Sequence, residues 1–187
     1  MTRAHKHNWL TYRMEMSVIR VRDLIRPPAR VLLNVGVKTG MTVLDFGCGP
    51  GGFSLAAARI VEPEGLVYAL DVQQAALESV RRAAIRRGIS NLHPIPADQV
   101  SQVPEESVDI ALLYDVLHIV IEPVATREIL LSIHRVLKPD GVLSVSDHHL
   151  QEASLLTKVT GSGLYRPAGH IAGVFQFKKI PVREAKP

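Results

Sequence analysis

The sequence predicts an α/β fold: a doubly wound, seven-stranded, mostly parallel sheet with an antiparallel last strand. Three observations predict it. From Thr42 to Ser146, short apolar runs alternate with segments of helical periodicity. One of those runs, Val108–Tyr114, is apolar nearly throughout, as a strand covered on both faces must be. The last two runs are separated by only a few residues, too few for a parallel return, which needs about a dozen.

Each element has its own signal. Met14, Val18, Val21 and Ile25 stand at near-helical spacing, and Pro27-Pro28 stops that helix. Pro28 suits the first turn of a second helix through about Val35, with Gly36 at its end. Thr42–Phe46 reads as the first strand, followed by the loop Gly47–Gly52 and a helix over Phe53–Val61. Leu66–Leu70 is a second strand, ending at Asp71. Gln73–Arg87 carries the apolar stripe Ala76, Leu77, Val80 and Ala84 with arginines opposite. Leu92–Ala97 is a third strand, weakened by Pro94 and Pro96, and Val108–Tyr114 is the fourth. A helix over Val124–Leu137 stops at Lys138-Pro139-Asp140-Gly141, and Val142–Ser146 is the fifth strand. Leu150–Thr160 reads as helix. The runs Leu164–Arg166 and Ile171–Lys178 form the closing hairpin. The chain therefore reads as a single domain over 1–187, with a helical extension at 1–38 and an α/β core at 40–180.

Composition bounds the function. The 187 residues are 47% hydrophobic and 21% charged, ordinary for a soluble globular protein. A single cysteine, Cys48, rules out an intrachain disulfide and fits a reducing compartment. No secretory pattern opens the chain and no apolar run reaches membrane-spanning length, so a cytoplasmic protein without a membrane partner is expected. Residues 1–40 carry eight Lys and Arg against two acidic residues. Such a basic arm attracts nucleic acid, but it reads first as a soluble helix face.

The loop Asp45-Phe46-Gly47-Cys48-Gly49-Pro50-Gly51-Gly52 follows the first strand, where open α/β sheets bind ligands. Gly47-x-Gly49-x-x-Gly52 also matches the dinucleotide fingerprint, so the glycines alone decide little. Asp45 decides more, because a carboxylate beside the helix N-terminus competes for the place a pyrophosphate would take. S-adenosylmethionine has no phosphate; it has an ammonium, a sulfonium and a ribose diol. Asp71 and Asp98 stand at the ends of the next two strands, where carboxylates can accept from ribose hydroxyls and an adenine amine.

Four segments resemble the class I S-adenosylmethionine-dependent methyltransferases, in that family's order: VLDFGCGPGGF (Val43–Phe53), VYALDVQ (Val67–Gln73), SVDIALLYDVLHIV (Ser107–Val120) and RVLKPDGVLSVSD (Arg135–Asp147). The resemblance implies a Rossmann-like core with an antiparallel seventh strand. It implies that Asp45, Gly47 and Gly49, with Phe46 and Cys48 between them, line the methionine part of the cofactor. Asp71 would bind the ribose, with Gln73 nearby, and Val72 would pack on the adenine. Asp98, between Ala97 and Gln99, would bind the adenine amine. Tyr114 and Asp115 would flank the transferring methyl.

Candidates for a general base near the ends of strands four and five are Asp115, His118, Asp147, His148 and His149, of which Asp115 and His118 are preferred. Adjacent histidines on an extended chain point to opposite faces, so His148 and His149 read as chance surface residues and no metal is expected. Few residues separate the fifth strand from the hairpin, which leaves an acceptor cleft that is open or is covered by residues 1–28 or by a second subunit of a homo-oligomer. The expected activity is methyl transfer to a small molecule. RNA or protein acceptors are the runner-up, ahead of a non-catalytic cofactor-binding partner subunit and a dinucleotide oxidoreductase.

Overall fold

The computed structural model describes residues 27–171 and 173–181. The helix expected over Met14–Ile25, and most of the extension 1–38, lie outside the described residues. The elements are α1 (Pro28–Asn34), β1 (Thr42–Phe46), α2 (Gly52–Val61), β2 (Leu66–Asp71), α3 (Gln74–Arg86), β3 (Leu92–Pro96), a 3₁₀ turn (Ala97–Gln102), β4 (Val108–Tyr114), α4 (Pro123–Val136), β5 (Leu137–Ser146), α5 (Glu152–Thr160), β6 (Tyr165–Ile171) and β7 (Val174–Lys179).

The strands form one seven-stranded sheet in the order β3-β2-β1-β4-β5-β7-β6. β1 pairs in parallel with β2 on one side and β4 on the other. β7 is antiparallel to both β5 and β6, so β7 alone opposes the other strands, as the short connection required. Strand order reverses between β1 and β4, and in open α/β sheets the carboxyl ends at such a point form the ligand crevice.

Side-chain alternation divides the interior into two layers. Leu44 and Phe46 of β1 and Ala111 and Leu113 of β4 face Leu130 and Ile133 of α4 and Leu155 and Val159 of α5. Val43 of β1 and Ile110, Leu112 and Tyr114 of β4 face the opposite layer, with Leu32 of α1, Leu55 of α2 and Val80 of α3. Asp45 therefore points toward α2 by the same alternation. Phe177 of β7 is fully buried in the α4–α5 layer, where a side chain of its size contributes about 1.5–3 kcal/mol.

Two boundaries differ from expectation. Lys138–Gly141 lies within β5 rather than ahead of it: Leu137 pairs with Val108 and Val142 with Ile110, so the extra residues bulge out between two registers. The closing strands are also longer and shifted, at Tyr165–Ile171 and Val174–Lys179, with Gly173 turning between them at φ +80°. β6 is the sheet edge and is exposed from Arg166 to Ile171, so it has no buried alternation to read. Its register also slips between Pro167 and Gly169.

His134 of α4 fixes the chain after β7. Its Nε2 lies 2.8 Å from the Ile180 carbonyl, and its ring meets Tyr165 edge-on at 5.7 Å. Burial lowers the affinity of this imidazole for a proton from its ordinary value of 6.5, and the Ile180 carbonyl only partly offsets that. The unfolded state therefore binds more protons than the folded one in mildly acid solution, and stability falls as pH drops below that value. We expect urea unfolding to show a loss of stability between about pH 7.5 and about pH 5.5 that is smaller in His134→Gln, whose amide still reaches the carbonyl but does not titrate.

Candidate functional site

The loop after β1 is fastened before any ligand arrives. The Leu70 carbonyl at the end of β2 accepts from both the Gly47 and Cys48 amides, at 2.7 and 2.8 Å. Gly47, Gly49 and Gly51 all have positive φ, at +82°, +50° and +86°, the region that favours glycine. They differ in what surrounds them. A Cβ on Gly47 would fall on Val116 Cγ2, and one on Gly51 would stand 2.7 Å from Val80 Cγ2. A Cβ on Gly49 would meet nothing within 4 Å. Gly47 and Gly51 are packed against the protein; Gly49 opens onto the crevice.

Asp45 is 3% exposed and accepts the Ser54 hydroxyl of α2. Its charge is thus below the glycine loop rather than on its surface. Ser54 was not singled out in the sequence; its one signal is a polar residue on the buried face of an otherwise apolar helix. Asp71 is half-buried at the end of β2. Its Oδ2 accepts the Gly49 amide at 2.9 Å and its Oδ1 the Gln73 amide at 2.8 Å. Val72 is 85% exposed beside it. The 3₁₀ turn carries Ala97, Asp98 and Gln99 at the end of β3, with Asp98 exposed and the Gln99 Oε1 accepting from Gln102. Phe46 is buried below the loop.

The electrostatics agree with the geometry. Burial pushes the Cys48 thiol far above its ordinary range, and the Asp45 and Asp71 carboxylates push it further. A negative potential at the loop disfavours any anion there and favours a cation. The same burial keeps Cys48 out of thiolate chemistry.

Tyr114 does not present its hydroxyl at the end of β4. The side chain turns into the α2 layer, where its hydroxyl pairs with Ser144 at 2.7 Å and its ring meets Phe53 edge-on at 4.8 Å. Burial above all pushes its pKa up, beyond the range in which a phenol serves as a base.

Asp115, next in the chain, holds φ +53° and donates its amide to Ser146 at 2.8 Å. The loops after β4 and β5 are cross-linked there. Asp115 Oδ1 accepts the His148 amide at 3.0 Å and lies 2.9 Å from His148 Nδ1. In the other direction, Asp147 Oδ2 accepts the His118 amide at 2.9 Å and lies 3.1 Å from His118 Nδ1. Asp147 Oδ1 takes the His149 amide, and the His149 ring lies 4.2 Å from that of His118. His148 and His149 are both exposed, as surface residues, and a turn closed by the Leu150 amide on the Asp147 carbonyl aims one ring at Asp115 and the other at His118. Among the described residues, no three of His, Cys, Asp and Glu are grouped to hold a metal ion, and no helix is long and apolar enough to cross a membrane.

Residues 37–174 match the family model described as "Methyltransferase domain". Among curated proteins, the chain is 30% identical over 127 residues to the demethylmenaquinone methyltransferase of Geobacillus stearothermophilus, covering 67% of this chain and 53% of that protein. It is 30% identical over 92 residues to aklanonic acid methyltransferase of a Streptomyces species, covering 48% and 42%. The chain spans about half the length of the curated relatives it matches. A solved methyltransferase structure from Aquifex aeolicus superposes with a TM-score of 0.74 at 22% identity, covering 88% of this chain and 95% of that one. The chain belongs to the methyltransferase-domain family, in the class I S-adenosylmethionine-dependent fold that its glycine loop and strand-end aspartates led us to expect.

Proposed function

We propose that the crevice at the carboxyl ends of β1 to β4 binds S-adenosylmethionine and that the chain transfers its methyl group to a small molecule. The observation that carries this reading is Asp71 beside Gly49. A carboxylate has about four acceptor positions. The Gly49 and Gln73 amides occupy one on each oxygen, which fixes the plane of the group and leaves acceptor capacity for the two hydroxyls of a ribose. Directly alongside, the missing Cβ of Gly49 leaves open space at the loop. Exposed Val72 supplies an apolar surface for a flat base, and exposed Asp98 an acceptor for its amine. The negative loop suits a ligand carrying ammonium and sulfonium charges and disfavours a pyrophosphate.

When bound, the cofactor supplies an activated methyl group, so much of the catalysis is positioning of donor and acceptor. The loops after β4 and β5 form the side of the crevice from which an acceptor would approach. Acceptors named for two relatives, aklanonic acid and demethylmenaquinone, support a small organic acceptor over a macromolecule.

Calorimetric titration with S-adenosylhomocysteine tests the reading. The wild-type chain should bind it, and Asp71→Ala should weaken binding by about 1–3 kcal/mol through loss of charged hydrogen bonds; unchanged affinity would remove Asp71 from the site. Two glycine variants separate cradle from packing. Gly49→Val fills the open space and should abolish binding at the cost of about 1–2 kcal/mol of left-handed backbone strain. Gly47→Val adds the collision with Val116 to the same kind of strain and should lower the unfolding midpoint more than Gly49→Val does.

A further inference from the structure

We propose that His118 is the general base of this site, with Asp147 as its positioning residue, and that the methyl acceptor is accordingly a weak O–H or C–H acid with an apolar body, such as a phenol or an enolisable ketone. The inference rests on the methyltransferase reading and adds the acceptor's class to it.

Two aspartate–histidine pairs join the loops after β4 and β5, and they are not equivalent. In the Asp115–His148 pair the side chains are 19% and 47% exposed, and water competes for both. In the Asp147–His118 pair the carboxylate side chain is 1% exposed and the imidazole 26%. Asp147 is held from behind by the His149 amide and in front by the His118 amide, so it has little freedom to leave the ring. A carboxylate offers only acceptors, so the hydrogen between it and the ring belongs to Nδ1. In the neutral ring that fixes the tautomer and leaves the lone pair on Nε2, the arrangement a histidine needs to take a proton. Among the described residues, no hydrogen bond engages Nε2. The His149 ring covers the His118 ring at 4.2 Å and limits its rotation.

Position in the sheet supports the role. β5 lies two strands from β1 and three from β2. At about 4.8 Å per strand, the dyad stands roughly 10 Å across from the end of β1, on the side away from Asp71. A donor with its ribose on Asp71 and its charged end over the glycine loop presents its far side toward β4 and β5. Immediately after His118, Ile119, Ile121 and Val124 are 67%, 81% and 69% exposed, an apolar rim suited to an acceptor's unreactive body. An amine that reaches the site uncharged can attack without such a base; a phenol or a carbon acid cannot do so readily.

The proposed step is balanced. The acceptor's proton passes to His118 Nε2 as its oxygen or carbon forms a bond to the methyl carbon. The carbon–sulfur bond breaks with its electron pair left on sulfur, and the imidazolium then returns the proton to solvent. One positive charge is lost from sulfur and one proton is released.

The test has one arm that needs neither acceptor nor turnover. In the histidine-15N-labelled full chain at about pH 8, nitrogen NMR should show His118 as the Nδ1–H tautomer, and Asp147→Ala should shift it toward Nε2–H. An Nε2–H ring in the wild type overturns the proposal, whether or not the variant folds. In the second arm, S-adenosylhomocysteine formation is followed with panels of phenols, 1,3-diketones and amines. His118→Ala should lower kcat on phenols or diketones by about 10²–10⁴-fold, with S-adenosylhomocysteine affinity within about twofold of wild type and partial rescue by free imidazole. Turnover of amines alone, no turnover of any O–H or C–H acid, or a wild-type kcat in His118→Ala overturns it. Failure of the wild-type chain to bind S-adenosylhomocysteine is a different result, which removes the methyltransferase reading beneath it.

Discussion

One carbonyl organises the crevice. Leu70 accepts from the amides of both Gly47 and Cys48, and so ties the loop after β1 to the end of β2. That attachment requires the loop to turn back sharply, which is why successive positive φ values fall on Gly47, Gly49 and Gly51. It also delivers the Gly49 amide to Asp71, so that the carboxylate at the end of β2 is already oriented by the backbone around it. The loop, the end of β2 and the start of α2 thus behave as one preformed piece, and preorganisation of this kind lowers the ordering cost of binding.

Asp45 takes its place in the same unit from below. Alternation along β1 turns its carboxylate toward α2, and the Ser54 hydroxyl satisfies part of its demand for donors in a nearly dry setting. Its charge also acts through space: it adds to the effect of burial in raising the proton affinity of Cys48. The two carboxylates around the loop make it an unfavourable place for further negative charge.

The parts of this organisation that were legible in the sequence are those written in local chemistry. β1 and β4 were found residue for residue, because continuous apolar runs bounded by turn signals leave little choice. Asp71 was placed at the end of β2 and the glycines in the loop after β1 because their spacing reports strand ends. What escaped depends on contacts between distant segments. The pairing of Asp147 with His118 spans 29 residues, and that of Asp115 with His148 spans 33. The turn that brings His148 to Asp115 and His149 to His118 has no signal in the residues themselves. Tyr114 was placed by its position at the end of β4, but its burial against Ser144 follows from the alternation of that strand. The length of β6 was missed for the opposite reason: an exposed strand carries no hydrophobic pattern to read.

That strand has a consequence for how the molecule behaves among its own copies. Among the described residues, β6 leaves one row of backbone donors and acceptors unpaired by another strand, the template on which sheets polymerise. Pro167 removes a donor from the row, and the register slip before Gly169 bends it out of line. Arg166 adds a charge that an incoming strand would have to bury. Among the described residues, the rim of the sheet is thereby made a poor seed for stacking.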